Sequence, residues 1–152
     1  MHTHSASQPG PDEAGQPGAV ARGRLPRAAG VTAGAAWPID LLVYAIAAAL
    51  WGVPGEFSFF NPLTIVVMVA GGVAIAAVGL AVLARLTRRP VPIFVAVAGV
   101  VTLLSLGLPF QAMAGMMPGV PAATTATGVT MIVLHLLTGG IIAGGLPALA
   151  RR

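Results

Sequence analysis

Two ionisable side chains lie where a bilayer core would be. His135 sits inside TGVTMIVLHLLTGGIIAGGLPAL (127–149), and Asp40 sits inside VTAGAAWPIDLLVYAIAAALWGV (31–53). An imidazole in such a run can relay protons, bind a ligand, or act as packing glue by hydrogen-bonding a neighbouring helix. No second strong ligand lies beside it, so packing is the simpler expectation for His135. Asp40 depends on where its helix starts. A start near Val31 buries the carboxylate ~13 Å deep, at a cost of several kcal/mol unless it is neutral or paired. A start at Pro38 puts it in the first turn, where free amides and the positive dipole end stabilise it. Pro38 suits a first helical position, so the first turn is the expected place. Either way Asp40 falls ~8 Å or more short of His135, and a direct Asp–His pair is not expected.

Depth along the helices suggests partners for His135. Counted at 1.5 Å per residue from Leu149, it lies ~21 Å into its helix. Ser105, counted from Val91, reaches ~21 Å, and Tyr44, counted from Val31, ~20 Å. The expectation is one intramembrane polar cluster of Tyr44, Ser105 and His135, with Gly71 and Gly72 in the same layer allowing close backbone approach. Gly140 and Gly144 form a G-x-x-x-G face suited to helix packing, within the chain or between chains. Pro109 cannot donate to the Ser105 carbonyl, so the third helix should kink or end there.

Other chemistry is thinly represented. Met113, Met116 and Met117 could offer thioethers to Cu(I), but methionines in such a loop more often serve as adaptable apolar filler. His2 and His4 make a poor metal site alone. There is no cysteine, which removes disulfides and thiolate chemistry. No phosphate-cradling loop, paired acidic motif or nucleophile elbow is present. The sequence therefore offers no catalytic residues, and no metal or cofactor is expected.

The elements that must carry these residues are apolar. Of 152 residues, 57% are hydrophobic and 8% charged, and the mean hydropathy is +0.91. A soluble domain carries about 25% charged residues, so the excess apolar surface must face lipid. Four runs, about 31–53, 63–84, 91–110 and 127–149, each reach the ~20 residues needed to span a bilayer. All eight cationic residues are arginines. Arg22, Arg24 and Arg27 precede the first run, Arg85, Arg88 and Arg89 separate the second from the third, and Arg151 and Arg152 follow the fourth. Residues 54–62 and 111–126 have none. Under the positive-inside rule both termini and the middle loop are cytoplasmic. The expected fold is all-α: an integral membrane bundle of four antiparallel helices, N-in and C-in, over residues 31–152, preceded by a disordered cytoplasmic tail at 1–30 rich in Pro, Gly and Ser. The net charge of +4 is read as attraction to anionic lipid rather than to nucleic acid, because no basic stripe is interleaved with aromatics.

Arg88 and Arg89 with Phe94, then Leu104, Ser105, Leu106 and Pro109, then Thr130, Leu134, His135 and Leu136, carry a resemblance. In these residues the chain resembles a group of uncharacterised four-helix membrane proteins of high-GC actinobacteria, a domain of unknown function. The resemblance covers about 33–150, is strongest over 88–150, and leaves out Asp40 and the tail. It implies the four-span topology and the importance of Ser105, Pro109 and His135, and attaches no reaction to them.

Together these point to a multi-pass plasma-membrane protein whose first partner is the bilayer, with other membrane proteins or a second copy as further partners. The leading expectation is a non-enzymatic accessory or structural component. The alternative is a small oligomeric transporter or proton-linked carrier using His135, with Asp40 as a second ionisable group.

Overall fold

A computed structural model of the chain describes residues 20–53, 57 and 60–151. His2, His4, Glu56, Phe59 and Arg152, and residues 1–19 of the expected tail, lie outside the described residues. A 3-10 turn, Arg22–Arg24, leads into α1 (Leu25–Trp51); α2 (Pro62–Leu86), α3 (Pro90–Ser105), the short α4 (Gly107–Met113) and α5 (Thr125–Ala150) come after it. The described residues form helices and no strand. Four stretches, Arg22–Trp51, Pro62–Leu86, Pro90–Met113 and Thr125–Ala150, are long and apolar enough to cross a membrane. Their outward faces suit hydrocarbon: Ile75 and Leu104 expose 76% and 74% of their surface, far too much apolar area for a soluble bundle.

The helix ends follow from local chemistry. Prolines open α1, α2 and α3 in the first turn, where the missing N–H is no loss. The Asn61 side chain accepts from the Thr64 amide at 2.8 Å, and the Thr124 hydroxyl accepts from the Thr127 amide at 3.2 Å; both are N-caps. Gly52 ends α1 in the left-handed conformation at φ 58°, which glycine adopts without steric cost. The expected break near Pro109 falls at Leu106, between α3 and α4. Pro109 has no N–H for the Ser105 carbonyl, and the chain re-starts its helix one residue later.

The start of the first helix is a correction. Residues 20–30 are not part of a disordered tail, and Pro38 is not a first-turn residue. The helix begins at Leu25, with Pro26 in the first turn, and Pro38 lies inside it with its ring exposed. The stretch just before α1 is held by the end of α5. The Ala21 amide donates to the Ala150 carbonyl at 2.8 Å, Val20 pairs with Arg151, and the Arg24 guanidinium donates to the Arg151 carbonyl at 3.1 Å. These contacts bring the beginning of α1 level with the end of α5.

α1 and α3 each pack against both α2 and α5, so they occupy opposite corners of the bundle. Two apolar clusters fill it. At the arginine-bearing end Leu25, Ala28, Ala36, Val73, Leu80, Val91, Phe94 and Leu146 form one core. At the other end Ala47, Val53, Phe57, Phe60, Ala112 and Met131 form a second. Tyr44 touches both.

Candidate functional site: a polar layer between the two cores

Asp40, Ser105 and His135 each lie fifteen residues from the arginine-bearing end of their helices, at Leu25, Pro90 and Ala150. At 1.5 Å per residue that is ~22 Å for all three. The shared depth brings them to one cavity of about 330 Å³, lined also by Thr64, Thr102 and Thr138 and by apolar side chains from α2, α3 and α5. Phe60 and Met117 line it from the end away from the arginines.

Asp40 is the most buried of the polar members, with 1% of its surface exposed. The Thr138 hydroxyl donates to its Oδ2 at 2.5 Å, joining α1 to α5. Its Oδ1 is buried and has no hydrogen-bond partner among the described residues. The first-turn placement of Asp40 is thereby overturned. Pro38 did not mark the start, and six further residues at the front of α1 carry the carboxyl ~9 Å deeper than a count from Val31 gives. The ~8 Å offset between Asp40 and His135 disappears for the same reason.

The expected cluster holds in part. Ser105 and His135 line one cavity, but they do not bond each other. The Ser105 hydroxyl donates to the Thr102 carbonyl at 2.6 Å, and His135 Nδ1 faces the Met131 carbonyl at 2.7 Å. A carbonyl oxygen only accepts, so Nδ1 carries the proton and, in the neutral ring, Nε2 is an acceptor. Tyr44 is not part of the lining. It lies one turn beyond the layer and packs against Phe60, with ring centroids 5.9 Å apart.

The small residues are also redistributed. A Cβ on Gly71 would meet open space, and one on Gly72 only ordinary contact with Ile142 at 3.8 Å, so neither provides the close approach expected of it. Gly140 and Gly144 face open space and make no close packing within the chain. The tight contacts are elsewhere. A Cβ on Gly139 would overlap Thr102, and one on Gly128 would overlap Met113. Met113 packs there, Met117 joins the second core and Met116 is 72% exposed; the three thioethers do not share one environment.

Sequence reasoning overlooked Thr138, Thr102 and Gly139. Thr138 lies three residues after His135 and Thr102 three before Ser105, one turn along the same helix face. That spacing was the available signal.

Fold and site together describe a small helical protein with four helices suited to a membrane, whose bundle holds a largely apolar cavity carrying a few polar groups at mid-depth. The chain belongs to the family of unknown function DUF6069, whose model matches residues 20–152. The match takes in residues 20–32, the stretch that the structure assigns to the bundle. No curated protein and no solved structure matches the chain.

Proposed function

We propose that this chain is a multi-pass protein of the plasma membrane, its spans alternating in direction and both termini cytoplasmic, acting as a non-enzymatic component that assembles with other membrane chains or with itself. The observation that carries this reading is the joining of the chain ends. The Arg24 guanidinium donates to the Arg151 carbonyl, so the start of the first span and the end of the fourth share one side, and both carry arginines. Arg85, Arg88 and Arg89 at the α2–α3 turn fit the same side under the positive-inside rule. A high-GC actinobacterial source is consistent with the use of arginine to the exclusion of lysine. Gly140 and Gly144, open along the outer face of α5, leave a flat strip on which a second membrane helix could pack. Reporter fusions test the topology: a fusion after Gly119 should report the outer side and one after Thr87 the cytoplasm. The same compartment for both would reject it.

A second reading, a small proton-linked carrier, draws support from one observation: Asp40 and His135 line the same cavity. The variant His135→Ala separates the two. Lower abundance with no change in proton flux into vesicles, read with a pH-sensitive dye, favours the structural role. Unchanged abundance with loss of that flux favours the carrier.

A further inference from the structure

Four polar side chains of the mid-depth cavity have disposed of their protons in a one-sided way. Thr138 donates to Asp40 Oδ2. Thr102 donates to the Ala98 carbonyl at 2.8 Å, Ser105 to the Thr102 carbonyl, and the His135 Nδ1–H to the Met131 carbonyl. With a neutral imidazole, these four side chains have only lone pairs left to offer. The group in greatest need is Asp40 Oδ1, buried and without a partner. Asp40 is also the only acid among the described residues. The arginines that could neutralise it stand at the far end of the helices, ~20 Å away along α1 from Asp40 to Arg27 or beyond. A buried carboxyl oxygen with no donor is costly in a low-dielectric interior, and its residue lines a chamber of about 330 Å³ with predominantly apolar walls, at the small end of the range for small-molecule sites.

The geometry points to a binding site for a lipophilic primary amine, its ammonium seated on Asp40 and its apolar body filling the chamber between α2, α3 and α5. An ammonium brings three N–H donors and no acceptor, the complement of a site that has acceptors to fill. With the carboxyl turned toward the chamber, Oδ1 accepts one N–H as a charge-assisted bond, and His135 Nε2 and the hydroxyl oxygens can take the others. Val69, Val101, Leu134 and Ile142 supply the apolar contact. A carboxylic acid or phosphate would meet only lone pairs and a like charge. A neutral alcohol would supply one donor and no charge. The inference stands whether the chain is an accessory component or a carrier, since it concerns the occupant of the cavity and not whether that occupant crosses the membrane.

The test uses the full chain in lipid nanodiscs at neutral pH, with radiolabelled phenylbutylamine and its alcohol counterpart phenylbutanol measured by equilibrium dialysis against empty nanodiscs. The wild type should bind the amine saturably and the alcohol at least about tenfold more weakly, because hydrogen bonds to a charged group exceed those between neutral ones. Asp40→Asn should lose about tenfold or more for the amine and leave the alcohol unchanged; its amide oxygen can still accept from Thr138, so the α1–α5 link is kept. Ser105→Leu, which fills the chamber and leaves the carboxyl in place, should weaken both probes. Equal affinity for amine and alcohol, full amine affinity in Asp40→Asn, amine binding indifferent to Ser105→Leu, or partition without saturation would each overturn the assignment. Should Asp40→Asn fail to fold, the amine–alcohol comparison and Ser105→Leu decide. Reporter fusions that reject the topology would leave these results standing, so the two readings fail separately.

Discussion

Gly139 is the position where a single methyl group should do most damage to the bundle. A Cβ there would lie 3.0 Å from Thr102 Cβ and closer still to both of its branches. Turning the Thr102 side chain does not clear the overlap, since the hydroxyl and the methyl are both involved and the hydroxyl is bonded to the Ala98 carbonyl at 2.8 Å. Relief therefore requires α3 to move off α5 by the ~1–1.5 Å that separates the closer of these contacts from an ordinary carbon–carbon distance. Overpacking of this kind costs about 1–3 kcal/mol. The helix-propensity gain of alanine over glycine, up to ~1 kcal/mol in water, offsets little where helices are already formed before they associate in lipid. Gly139→Ala should thus lower stability by about 1–3 kcal/mol. Gly140→Ala, one residue on and facing open space, should be within ~0.5 kcal/mol of wild type. Adding Thr102→Ala to Gly139→Ala should restore most of the loss. Unfolding of purified protein in micelles, tracked by tryptophan fluorescence and circular dichroism, reads all three. Stability of Gly139→Ala at or above wild type, or a larger cost at Gly140 than at Gly139, would refute the close packing of α3 on α5.

The same contacts predict three further outcomes. Gly128→Ala also overlaps a neighbour, but that neighbour is the flexible thioether arm of Met113, so its cost in the same unfolding assay should stay below that of Gly139→Ala. Thr138→Val removes the donor to Asp40 and should cost about 1–3 kcal/mol, whereas Asp40→Asn, which keeps an acceptor for Thr138, should cost less; the reverse order would show that the α1–α5 bond is not made. Arg24→Ala removes an exposed guanidinium–carbonyl bond and should change stability by no more than ~0.5 kcal/mol, read as an unchanged unfolding midpoint.

Most of the architecture was legible because long apolar runs bounded by Pro and Arg leave few options. α2, α3 with α4, and α5 begin and end within about three residues of the runs read from composition. The break before Pro109 came from the one N–H that proline lacks. The start of α1 was misread because two prolines, Pro26 and Pro38, could each open a helix, and the apolar run alone favoured the later one. The true start is fixed by a long-range contact, Ala21 with Ala150, which has no signature near residue 21. That error propagated: a six-residue offset moved Asp40 out of the polar layer and Tyr44 into it. Ser105 and His135 were placed correctly in depth because the ends of α3 and α5 were read to within a residue. The glycines were misjudged because small residues are abundant on every helix, and which face turns inward is decided by packing rather than by the motif. Gly139 is one position from Gly140, and only the rotation of α5 distinguishes them.

In the proposed topology lipid surrounds these helices and the arginine-bearing ends face the cytoplasm. The absence of native cysteine makes single-cysteine labelling the most direct measurement. Gly23 has no atom near its absent Cβ, and Met116 is 72% exposed at the opposite end of the bundle, so Gly23→Cys and Met116→Cys place thiols at the two ends with little disturbance. With a membrane-impermeant maleimide, Met116→Cys should be labelled in intact cells and Gly23→Cys only after the membrane is breached. Labelling of both thiols from the same side, or release of the chain from membranes by alkaline carbonate, would rule out that topology.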